Sequence, residues 1–87
     1  MADHIQIAVD LAVKYRRQAE RMAAIWEETA VEWGLNWTPL DPAFLVPYFS
    51  ALSMKDMGNA MVETVKRKGE LNPAYFVGGL RNMARGD

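Results

Sequence analysis

The chain contains no cysteine among its 87 residues. That excludes a disulfide framework, a thiolate metal site and a cysteine nucleophile, and nothing signals an oxidising compartment. Long hydrophobic runs are also missing: no uninterrupted apolar stretch approaches the roughly eighteen residues of a membrane span. The start, Met-Ala-Asp-His-Ile, lacks the basic n-region of a secretory signal. A cytoplasmic protein with no membrane contact is the resulting expectation.

Histidine occurs once, at His4, with no cysteine to join it in a zinc site. Glu27, Glu28 and Glu32 gather acid on one segment, but the second-helix Glu-x-x-His that would complete a carboxylate metal site is absent. There is no glycine-rich phosphate loop, Walker sequence or nucleophile elbow. These absences point to a protein without catalytic residues, metal or cofactor.

What is present suits one small domain spanning 1–87. Apolar residues make up 51% of the chain, including three Trp, three Tyr and three Phe, enough to fold around a modest core. From Asp3 to Trp33 neither Gly nor Pro appears and good helix formers dominate, which predicts one long helix over 3–33. Ile5, Ala12, Ala19, Trp26 and Trp33 recur every seven residues, with Ala8, Tyr15 and Met22 three further on. Small Ala in such a seam favours close helix packing within the domain or with a second copy, so a homodimer is one expectation.

Gly34 is placed to end that helix in a left-handed conformation. Asp41-Pro42 then offers an N-cap followed by a first-turn proline. Pro47 predicts a kink, or a single turn and a new helix start, with Phe44, Leu45, Tyr48, Phe49 and Leu52 as the core face. Ser53 and Asp56 have capping-box spacing, and Met54, Met57, Met61 and Val65 form one face of the helix they open. Asn72-Pro73 starts the last helix, with Phe76, Leu80 and Met83 or Ala84 inward. The fold expected is all-α, a compact bundle of four to five helices with a long N-terminal helix.

Net charge is −1, unevenly distributed. Residues 1–33 carry four basic against six acidic side chains, whereas residues 64–87 carry five basic (Lys66, Arg67, Lys68, Arg81, Arg85) against two acidic. Arg81 and Arg85 lie one turn apart. If the turn after Lys68 folds back, both basic clusters and Tyr75 form one patch, and charge beside an aromatic ring suits a single-stranded nucleic acid. The same cations also complement helix dipoles and aid solubility. A second basic strip, Lys14, Arg17 and Arg21, is interleaved with acid. Gly58, Gly78 and Gly79 inside helical segments each cost about 1 kcal/mol relative to Ala, and tight packing against the N-terminal helix is the commoner compensation.

The closing stretch "NPAYFVGGLRNMARG", with Asn72-Pro73, Tyr75, Leu80, Asn82 and Met83, resembles the last helix of DnaD-like replication proteins. The resemblance covers 39–86 in outline. Gly79 stands where that signature has an aliphatic residue, Met83 where it has tryptophan, and the long helix 3–33 takes the place of the preceding winged-helix module. What the resemblance implies is a role in replication initiation or primosome assembly, with DNA binding by the tail helix, oligomerisation and contact with a replication protein, as in a phage or mobile element. Tyr75 carries over from the signature; Lys66, Arg67, Lys68, Arg81 and Arg85 are added from charge and spacing. The alternative from another class is a protein–protein interaction module, such as a phage-borne inhibitor of a host complex, docking through the helix that carries Trp26 and Trp33 or through the methionine face from Met54 to Met61.

Overall fold

The computed structural model describes residues 2–86, with side chains from His4 onward. Met1 and Asp87, at the ends of the stretches read above, lie outside them. The architecture is all-α: α1 (Ala2–Trp33), two 3-10 turns (Pro42–Phe44 and Val46–Ser50), α2 (Met54–Lys68) and α3 (Pro73–Ala84). None of the described helices is long and apolar enough to cross a membrane.

Each boundary has a local chemical cause. Gly34 adopts φ +64°, and the Gly34 and Leu35 amides donate to the Val31 and Ala30 carbonyls, a Schellman closure of α1. Asp41 Oδ1 accepts from the Ala43 amide at 2.9 Å. It caps a 3-10 turn rather than an α-helix, and Pro47 falls in the first turn of the next one. Two prolines five residues apart leave no room for an i to i−4 ladder, so a single turn is followed by a new start at Pro47, and both pieces are 3-10 rather than α. The Ser53 hydroxyl accepts from the Asp56 amide at 3.1 Å while Asp56 accepts from the Ser53 amide at 2.9 Å. Gly69, at φ +69°, ends α2. Asn72 caps α3 by accepting from the Tyr75 amide at 3.1 Å.

The core forms where the C-terminal half of α1 meets everything that follows. Ala19, Met22, Trp26 and Ala30 are buried against Leu45, Phe49, Met57, Met61, Leu71, Phe76 and Leu80. Trp26 is fully buried, its ring 5.0 Å from Phe76 and its indole N–H donating to the Thr38 carbonyl at 2.9 Å. A docking role for Trp26 is thereby corrected: the side chain offers no surface to a partner. Phe44, expected inside, is 64% exposed, because the tight 3-10 turn directs Leu45 rather than its neighbour inward. The loop after α1 runs beside the α2–α3 connection, where Leu71 donates to the Asn36 carbonyl at 3.0 Å in a parallel bridge at Trp37. Trp37 keeps its backbone in that bridge and leaves its ring partly exposed, so it is not a core plug. The methionine face belongs to the core, with Met57 and Met61 buried and Met54 packed at its edge.

The N-terminal half of α1 does not join this core. Every residue from His4 to Lys14 is exposed, so the helix projects as an arm. The chain measures 49 × 28 × 18 Å, with a radius of gyration of 14.0 Å, against about 12 Å for a compact chain of this length.

Truncating Trp26→Ala removes a fully buried ring together with its hydrogen bond. The expected loss is about 3–5 kcal/mol, read as a fall in the urea midpoint at constant slope. A separate expectation concerns acid. Asp56 is held below its ordinary range by the hydrogen bonds from Ser53, and Glu63 by the hydrogen bond from Arg67. A carboxyl depressed by folding contributes stability above its unfolded pKa of about 4 and loses it as pH falls through the folded value. Chemical denaturation between about pH 5 and pH 2 should therefore show a decline that is shallower in Ser53→Ala.

Candidate nucleic-acid cleft

The tight connection at Gly69 lays α3 back along α2, and a cleft of about 600 Å³ opens between the two helices. Asn59, Ala60 and Glu63 supply the α2 wall; Tyr75, Gly78, Gly79, Asn82, Arg81 and Arg85 are among the residues that line it from α3. Because α2 and α3 run back to back, Lys68 at the end of α2 comes close to the start of α3, with its ammonium 5.2 Å from the centre of the Tyr75 ring. Arg85 caps the far end of α3. Ten residues of helix separate Tyr75 from Arg85, about 15 Å.

The six cations and aromatics read from the sequence are thus not equivalent. Tyr75, Arg81 and Arg85 line one cleft, and Lys68 stands over the ring at its mouth. Arg67 is engaged by Glu63, its Nε donating to Oε1 at 2.9 Å, which raises the arginine and lowers the carboxylate. Glu63 stays on the cleft wall, its charge partly offset by that exposed pair at the expense of one cation. Lys66 is exposed on α2 and does not line the cleft. It sits in the last turn of α2 with Arg67 and Lys68, where the helix dipole favours positive charge.

The glycines overturn an expectation. Apart from the chain neighbours and the helix's own backbone, no atom lies within 4 Å of the position a Cβ would take at Gly58, Gly78 or Gly79. Tight packing against α1 therefore does not explain them. Gly78 and Gly79 instead form a flat stretch on the cleft side of α3, between Tyr75 and Arg81. Sequence reasoning saw the two glycines and the two arginines but not that they share a wall, since that depends on how α3 folds back on α2.

Of the two tryptophans proposed for docking, only Trp33 is exposed, at 54%. Glu27, Glu28 and Glu32 lie on the solvent side of α1. Among the described residues no group of His, Cys, Asp or Glu is placed to hold a metal ion. Comparison with models of known families, with curated proteins and with solved structures returns no match.

With open space above them and negative φ, Gly78 and Gly79 carry the helix cost of glycine without a packing return. Gly78→Ala and Gly79→Ala should each stabilise the fold, by up to about 1 kcal/mol. A raised thermal midpoint in circular dichroism checks this.

Proposed function

We propose that the protein is a non-enzymatic DNA-associated accessory protein that binds a single strand in the cleft between α2 and α3. The observation that carries this reading is the glycine pair. Two helix-weakening residues, with nothing in the fold packed on them, floor a cleft edged by an aromatic ring and two arginines. A base stacks on the Tyr75 face, Lys68 and Arg81 meet phosphates on either side, and the absence of Cβ atoms lets the strand lie close to the helix. The cleft length suits a few nucleotides rather than a duplex groove. The resemblance of "NPAYFVGGLRNMARG" to the closing helix of DnaD-like proteins supplies the context, replication initiation, with a replication protein as the further partner.

The second reading, a protein–protein interaction module, draws support from Trp33, a large apolar side chain left in solvent at the end of α1. Its anchor is Trp33 alone, now that Trp26 is core.

Binding of fluorescent single- and double-stranded DNA across a salt series separates the two. On the first reading the affinity for single strands falls steeply with salt, and Arg81→Ala/Arg85→Ala flattens the slope by about two phosphate contacts. Tyr75→Ala weakens binding by about 1–3 kcal/mol while Tyr75→Phe keeps it. No binding at low salt sinks the cleft reading and leaves Trp33 as the surface to probe.

A further inference from the structure

The α1 arm is the largest feature of the molecule that the cleft does not use. On its helical wheel, Gln6, Asp10, Lys14 and Arg17 occupy one narrow polar edge, tied in part by the 2.9 Å hydrogen bond from Gln6 to Asp10. The rest of the circumference is mostly apolar, interrupted by His4 and Arg16. Ile5, Ile7, Val9, Leu11 and Val13 are between 41% and 72% exposed. They fall on two flanks, Ile5, Val9 and Val13 on one and Ile7 and Leu11 on the other, with Ala8 and Ala12 between, and together leave on the order of 500 Å² of aliphatic surface in water.

The arm also continues a seam that the protein already uses. Ile5, Ala8, Ala12, Tyr15, Ala19, Met22 and Trp26 follow alternating steps of three and four, the spacing that keeps one helix face towards a neighbouring helix. The C-terminal half of this seam, Ala19, Met22 and Trp26, is buried by the chain's own bundle. The N-terminal half carries the same pattern with no cover.

We infer that the arm pairs with the arm of a second copy, antiparallel, with Ile5 of each chain against Tyr15 of the other and Ala8 against Ala12. In antiparallel seams the two kinds of core position face each other, and this pairing is the one that fills every layer from Ile5 to Tyr15. The central layers are then alanine on alanine, which lets the backbones approach closely. Leu11 borders the two-fold axis on one side and Val9 on the other. The pairing carries the first turns of each arm to the point where the other chain's α1 meets its 3-10 turn. There a groove lies open, with Ala12, Pro42, Ala43 and Val46 as its apolar wall and Arg16, paired with Glu20, and Asp41 at its polar side. Its apolar wall takes the side of the arm that carries Ile5 and Val9, which explains an apolar arc wider than one helix contact needs. Asp10, Lys14 and Arg17 stay on the outer edge. Ile5, Val9 and Leu11 of both copies are covered with the alanines and Tyr15 between them, a contact below the roughly 1,000 Å² of a standard specific interface and therefore a weak one. The arm and the cleft share no residue, so the pairing stands apart from the nucleic-acid reading.

Sedimentation equilibrium at about 10–200 µM, a range suited to a small interface, tests this on the full chain. The expected species has twice the 9.8 kDa chain mass. Ala8→Glu, at a position exposed in the single chain, should abolish the dimer and leave the circular dichroism melt of the core intact. Because the chain has no cysteine, the pairing can be read directly by disulfide formation. A mixture of Ala8→Cys and Ala12→Cys chains should cross-link, and neither variant alone. A parent that is monomeric throughout overturns the proposal, as does a dimer that survives Ala8→Glu. Cross-linking of Ala8→Cys with itself alone overturns the antiparallel arrangement. A monomer that instead floats with phosphatidylcholine–phosphatidylserine vesicles assigns the arm to a membrane surface and overturns the second copy.

Discussion

Trp26 is the residue around which the fold is organised. Its ring fills the space between α1 and α3 against Phe76, and its indole N–H reaches the Thr38 carbonyl. One side chain thus ties the long helix to both the loop that leaves it and the last helix. A buried indole N–H without a partner carries a desolvation cost, so this hydrogen bond constrains the path of the 35–40 loop as well as the position of α1. The loop in turn pairs with Leu71, which sets where α3 begins. The cleft between α2 and α3 therefore depends on a tryptophan that packs on α3 through Phe76 and does not line the cleft itself.

The same anchoring explains why the molecule has two unlike halves. A chain of 87 residues can bury one small core, and here that core reaches along α1 only as far as Ala19, with Tyr15 at its edge. Beyond that point α1 continues because it propagates from an anchored helix, where each added residue gains a backbone bond without a new nucleation cost. Its exposed Ile and Val are poor helix formers compared with Ala or Leu, so helix propensity does not account for their placement. The cleft presents the opposite case, in which the local sequence is weak as helix and its glycines open a surface instead of covering one.

Charge follows a similar division of labour. The basic cluster at the end of α2 complements the dipole of that helix, and one of its members, Arg67, is further occupied by Glu63. Lys68, by contrast, leans over Tyr75. Adjacent residues of one basic run thus have different neighbours, and counting cations along the chain does not reveal which of them face the cleft.

Local chemistry alone determined the helix boundaries: Gly34 and Gly69 in left-handed closures, Ser53 with Asp56 in a capping box, Asn72 ahead of Pro73. It also determined the all-α class and the long first helix, because capping and periodicity act within a few residues and can be read within a few residues. Tertiary structure decided what depends on distant partners. It put Trp26 inside and Phe44 outside, although both are large aromatics on apolar faces. It left half of a continuous seam bare because the core ran out of partners. It also brought Tyr75, Gly78, Gly79, Arg81 and Arg85 to one wall with α2 opposite, an arrangement set by how two helices fold back on each other rather than by the pattern along either one.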